Sequence, residues 1–169
     1  LGPDLVVVPA GQDAGCPLRG GWRRVELGDA PNLPALYLRP GAILPIGPAM
    51  QWTSEKPIDP LTLVINLDPS GVATGSLYDD SGDGYAFYRN QCQRLAYRAE
   101  LKDGAVFVRL AGLDGGLPMP RRKLLLRILT DHGEVVMTVT REHADEQGCL
   151  LHFAVRDTGI GVPPEKQEV

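Results

Sequence analysis

The sequence predicts a mainly β protein, and three observations carry that prediction. The 169 residues include 20 glycines and 15 prolines, about a fifth of the chain against the roughly 12% of average usage. Between those turn-formers lie short apolar runs of strand length, the pattern of all-β architectures. In several of these runs apolar side chains recur every second residue, the period at which a strand presents one face.

Taken in order, Leu5–Val8 is a compact β-branched run, expected as a buried strand, followed by a Gly-rich loop from Gly11 to Gly21. Trp22–Leu27 is expected as a strand, then Leu36–Leu38 and Ala42–Ile46, separated by the turn pair Pro40-Gly41. From Pro57 the pattern is cleaner. Leu61, Leu63, Ile65 and Leu67 share one face of a strand that Pro69-Ser70-Gly71 ends. Gly75–Tyr78 and Tyr85–Tyr88 flank the loop Asp79–Gly84 as the two arms of a hairpin would. Leu95, Tyr97, Ala99 and Leu101 alternate with polar residues, and Asp103-Gly104 turns the chain into Val106, Val108 and Leu110. Leu124, Leu126 and Ile128 complete a β-sandwich. Beyond it, Glu134–Thr140 and Leu150–Arg156 predict a strand pair linked by a charged loop, His143 to Gly148, with a helix start at Pro163-Pro164-Glu165.

Composition narrows the function classes. The net charge is −4, and the one basic cluster, Arg121-Arg122-Lys123, is short and runs straight into a strand, so it is expected to be a solvated strand edge. Nucleic acid is not an expected partner. Three scattered cysteines, Cys16, Cys92 and Cys149, make neither a disulfide framework nor a zinc site. No apolar run is long enough to span a membrane as a helix, and no stretch resembles a signal peptide. The expectation is a cytoplasmic protein with no membrane partner and no cofactor. Both ends are expected to be cuts in a longer chain.

Candidate chemistry is sparse. Asp79, Ser81 and Asp83 occupy positions 1, 3 and 5 of a calcium-type loop, with Gly84 at position 6. Position 12, however, is Asn90, where the EF-hand has a bidentate glutamate. A plain hairpin loop rich in Asp and Gly explains the same residues. His132, His143 and His152 match no ligand spacing, and no serine sits in a G-x-S-x-G elbow. Trp22 and Trp52 are expected to be packing residues, with stacking on a flat ligand ring as the less favoured reading.

Three stretches carry a family resemblance. LGPDLVVVPA at Leu1–Ala10, LPALYLRPGAILPIGP at Leu33–Pro48 and the run LTLVINLDPSGVATGSLYDDSGDGYAFY at Leu61–Tyr88 resemble, in order and spacing, the segments after the catalytic barrel of glycoside hydrolase family 31 α-glucosidases. The resemblance implies a proximal β-domain over 1–56 and a distal β-sandwich over 57–129. It also implies a retaining α-glucosidase whose two catalytic aspartates lie in the barrel, before Leu1. No catalytic residue is therefore placed on this chain, and the α-glucoside substrate is reached only through that barrel.

Residues 130–169 resemble something else. FAVRDTGIGVPPEKQ at Phe153–Gln167, with Thr130–Val135 and the strand pair before it, looks like the first glycine box of the ATP-binding domain of sensor histidine kinases. The resemblance implies Asp157 as the adenine contact and Gly159 and Gly161 as the points of close backbone approach. The Mg²⁺-binding asparagine helix, the later glycine box and the lid of that family are missing, so ATP is not expected to bind. A short α/β remnant is the expected fold of this part. Its interior junction with the β-domains near Leu129 points to an assembly artefact or gene remnant rather than a working fusion. Three functions follow as expectations: a non-catalytic portion of an α-glucosidase, a sensor fused to a histidine kinase, or a carbohydrate-binding module.

Overall fold

The computed structural model describes residues 2–11, 20–26, 28, 32–52, 55–82, 84–131, 133–145 and 148–157. The described chain is built from strands: β1 (Leu5–Val8), β2 (Arg23–Val25), β3 (Ala35–Leu38), β4 (Ala42–Ile46), β5 (Leu61–Asn66), β6 (Val72–Asp80), β7 (Cys92–Lys102), β8 (Ala105–Asp114), β9 (Leu124–Thr130), β10 (Gly133–Asp145) and β11 (Gly148–Asp157). A 3-10 helix, Ala86–Arg89, joins β6 to β7. A small antiparallel sheet has the order β1-β3-β2, and a large mixed sheet has the order β11-β10-β9-β5-β4-β6-β7-β8. Within the large sheet, β4–β6 and β5–β9 pair parallel. The mainly β expectation is met.

β5 sits at the centre of the packing. Its period-2 pattern sends Leu61, Leu63 and Ile65 into one apolar cluster with Ile43, Ala73, Leu95, Tyr97, Ala99 and Leu126. Val64, pointing the other way, joins a second cluster with Val25, Leu36, Leu38, Ala42 and Leu129. The small sheet thus covers the face that the large sheet leaves over. Asn66 ends the strand fully buried. Its amide donates to the carbonyls of Gly21 and Leu38, both at 2.9 Å, and its Oδ1 accepts from Arg23. Those bonds offset the cost of burying a carboxamide and tie the two sheets together.

Turn chemistry follows the sequence closely in two places. Asp68 Oδ1 accepts from the backbone N–H groups of Ser70 and Val72 and from the Ser70 hydroxyl, which closes the turn between β5 and β6. At the β7–β8 hairpin both Asp103 and Gly104 have positive φ, 50° and 78°, as a two-residue primed turn requires. Gly75 serves a different need: a Cβ there would lie 2.2 Å from the Ile43 carbonyl oxygen, so β4 and β6 approach as closely as they do only because the side chain is missing.

Several expectations change. Tyr85–Tyr88 is not the return arm of a hairpin. β6 extends to Asp80 and its partner is β7, in the register Tyr78↔Arg94, Asp79↔Gln93 and Asp80↔Cys92. The aromatic segment, left out of the ladder, winds into the 3-10 helix and ends at Asn90, whose φ of 61° is left-handed, a conformation Asn tolerates better than most residues. The basic cluster is not uniformly solvated, because Arg122 is buried in an ion pair described below. The expected charged loop from 143 to 148 is mostly strand, since β10 runs to Asp145 and β11 starts at Gly148. The helix start at 163–166 lies outside the described residues.

Candidate functional site

The residues with most chemistry gather where β6 enters its connection to β7. Opposed residues of an antiparallel pair point to the same side, so Asp79 and Gln93 share the core face with Leu77 and Leu95. Arg122 arrives from the segment before β9, and its Nη2 donates to Asp79 Oδ2. The guanidinium side chain is 8% exposed and the carboxylate 26%. Gln93 is buried beside them, with Nε2 donating to the Leu117 carbonyl at 2.6 Å. Among the described residues, Arg122 Nη1 and Gln93 Oε1 are both buried without a hydrogen-bond partner. Tyr97 continues the same face: burial pushes its phenol up, Arg122 opposes that rise and Asp79 adds to it. A polar cluster thus seals one end of an otherwise apolar core.

This placement bears on the acidic loop. Asp79, the first candidate calcium ligand, is already paired through Oδ2 with the Arg122 guanidinium. Asp80 accepts from the Gly82 backbone N–H at 2.8 Å, an Asx-type turn that holds the loop. Ser81 is exposed next to it, and Asp83 lies outside the described residues. On the outer face of β6, the Arg94 guanidinium lies 5.7 Å from the Tyr78 ring centroid, within cation–π range. The Tyr78 phenol is raised by partial desolvation and then by its hydrogen bond to Asp80.

The remaining candidates are dispersed. Asp157 is the last residue of β11, opposite Val135, and Gly159 and Gly161 lie outside the described residues. Trp22 is half-buried beside β2, and Trp52 is 61% exposed in the segment between β4 and β5. His132 lies outside the described residues, while His143 and His152 belong to β10 and β11. Two features escaped sequence reasoning. The Arg122–Asp79 pair joins residues too distant in sequence to leave a local signal. The exposed aromatic turn at 85–88 did leave one: four of the chain's ten aromatic residues fall between positions 78 and 88.

No family model matches the sequence. Among solved structures, the chain is similar to a family 31 α-glucosidase from Bacteroides thetaiotaomicron, with 33% identity and a TM-score of 0.59 over 72% of this chain and 20% of that one. It shares its fold with a family 31 dextranase from Flavobacterium johnsoniae, at 18% identity and a TM-score of 0.55 over 80% of this chain and 20% of that one. It also shares its fold with a family 31 α-xylosidase from Xanthomonas citri, at 20% identity and a TM-score of 0.52 over 92% of this chain and 18% of that one. Residues 1–129 are about three quarters of the chain, so the α-xylosidase match reaches into 130–169. The kinase-like reading of the segment finds no support in these comparisons. The chain spans about a fifth of the length of the enzymes it matches. It is a β-rich segment related to the glycoside hydrolases of family 31.

Proposed function

We propose that the chain is a non-catalytic β-domain portion of an α-glycosidase, of the α-glucosidase type, that supports a catalytic barrel holding the reacting groups. The observation that carries this reading is the 33% identity to an α-glucosidase over 72% of the chain. The state of the carboxylates supports the non-catalytic part. A retaining glycosidase needs a carboxylic acid held protonated near neutrality beside a second carboxylate. Here Glu100 is pulled down to about 2 by Lys102 and Arg98, and hydrogen bonds from Ser70 and Val72 lower Asp68. Asp79, Asp4 and Asp114 are spent on Arg122, Arg39 and Arg94. Each of these carboxylates is engaged in an ion pair or a turn. In this reading the α-glucoside is bound and cleaved in the barrel, the β-domain serves stability, and the protein works in the cytoplasm.

The test is turnover. Purified chain incubated with p-nitrophenyl α-glucoside should release p-nitrophenol no faster than buffer does. A rate proportional to chain concentration, surviving repurification, would overturn the reading.

A further inference from the structure

The turn between β6 and β7 contributes nothing to the core. None of the residues of the 3-10 helix is buried, yet the segment carries three large rings. Tyr85 is 77% exposed, Tyr88 78% and Phe87 38%. Contiguous exposed aromatics are informative in a way that a single exposed leucine is not. The rings also form one group: Phe87 and Tyr88 have centroids 4.3 Å apart, and Tyr85 and Tyr88 lie 6.2 Å apart with planes inclined by only 22°. Residues three apart eclipse one another on a 3-10 helix, which places Tyr85 and Tyr88 on one side.

The backbone holds this arrangement in advance. Tyr88 N–H donates to the Tyr85 carbonyl, Asn90 N–H to Phe87 and Gln91 N–H to Ala86, while Gly116 N–H reaches back to the Asn90 carbonyl at 2.8 Å. A preformed surface spares a ligand the cost of ordering it. The neighbours select the ligand class. From 81 to 91 the only aliphatic side chain is Ala86, so the patch presents flat rings rather than branched hydrocarbon. It offers phenol rings and, exposed around them, Arg89, Asn90 and Gln91. A pyranose has the matching shape: an apolar C–H face to lie on a ring, and a rim of hydroxyls for hydrogen-bonding side chains.

We propose that Tyr85, Phe87 and Tyr88 form a surface site that stacks the sugar rings of an α-glucan. The choice of an α-glucan rests on the glycosidase reading above. The site holds a polysaccharide by its apolar faces and cleaves no bond.

Native-gel electrophoresis of the 169-residue chain through soluble starch and through dextran tests this. Wild-type chain should migrate more slowly in at least one of these gels than in a plain gel. Tyr85→Ala/Tyr88→Ala should weaken that retardation about tenfold or more, Tyr88→Trp should keep it, and Phe107→Ala, on the β8 edge, should leave it unchanged. Circular dichroism of each variant establishes that it is folded. Equal mobility of the wild type in all gels, or undiminished retardation of the double variant, would overturn the proposal. Either result leaves the glycosidase reading standing, because that reading is decided by turnover.

Discussion

β5 and β8 belong to the same sheet and are both rich in apolar residues, yet their fates are opposite. In β5 five of six residues are buried; in β8 none is, and Phe107, Leu110 and Leu113 face solvent. Composition does not separate them. Position does: β5 has a paired neighbour on either side and a layer of side chains over each face, whereas β8 is an edge with one neighbour, β7. The same kind of side chain is worth a great deal in one place and little in the other.

The sharpest way to break that comparison is paired truncation. Leu63→Ala removes a fully buried side chain from the main cluster and should cost about 2–5 kcal/mol, whereas Phe107→Ala should change stability by no more than about 0.5 kcal/mol. Urea unfolding followed by circular dichroism reads both. Similar midpoints for the two variants would mean that the sheet position does not set the energetic weight of these residues.

Arg122 sharpens the comparison at a strand lying between them. Its partner Asp79 is on β6, at the rim of the core, and partly exposed. Arg122→Ala should therefore destabilise by about 1–3 kcal/mol, less than the loss seen when a fully buried pair is broken. Replacing both residues, as Arg122→Met/Asp79→Leu, should recover much of the loss; a double variant less stable than Arg122→Ala would contradict the assignment of the penalty to an unpaired anion.

The smallest expected effect sits on β7, next to the edge. Glu100 is held near a pKa of about 2, against 4.5 ordinarily, by Lys102 and then Arg98. A depressed carboxyl adds stability that is complete above its unfolded value, near 4.5, and lost as pH falls through about 2. Glu100→Gln should accordingly lower the urea midpoint at pH 7 in low salt, and the gap from wild type should shrink steadily below pH 4.5. A gap independent of pH would show that the ion pairs with Arg98 and Lys102 contribute nothing to folding.

How much of this was legible depends on range. The faces of β5 and β7 follow from a two-residue period, and the Asp103-Gly104 turn from the freedom of those two residues to take positive φ. The burial of Val64 and Asn66 was not legible, because it depends on a second sheet built from residues 5–38. Tyr85–Tyr88 misled for a related reason. Aromatic residues favour strands only where a partner strand and a packing surface exist, and β6 had already found its partner in β7. The calcium-type spacing was visible in the loop, whereas the guanidinium that occupies its first carboxylate comes from Arg122. For Asp157, the strand ahead of the box is present as β11, and Gly159 and Gly161 lie outside the described residues.

The parallel pairing of β5 with β9 sets Leu61 beside Leu124 and Ile65 beside Ile128, and that has a consequence for how the chain comes to be folded. During synthesis β5, five of whose six residues are buried in the fold, emerges well before the strand that closes its flank. Until β9 arrives, β5 offers an open row of backbone donors and acceptors beside Leu63, Val64 and Ile65, a template onto which another chain could add. Solubility of the nascent protein therefore hangs on the speed with which the second half of the sheet is delivered.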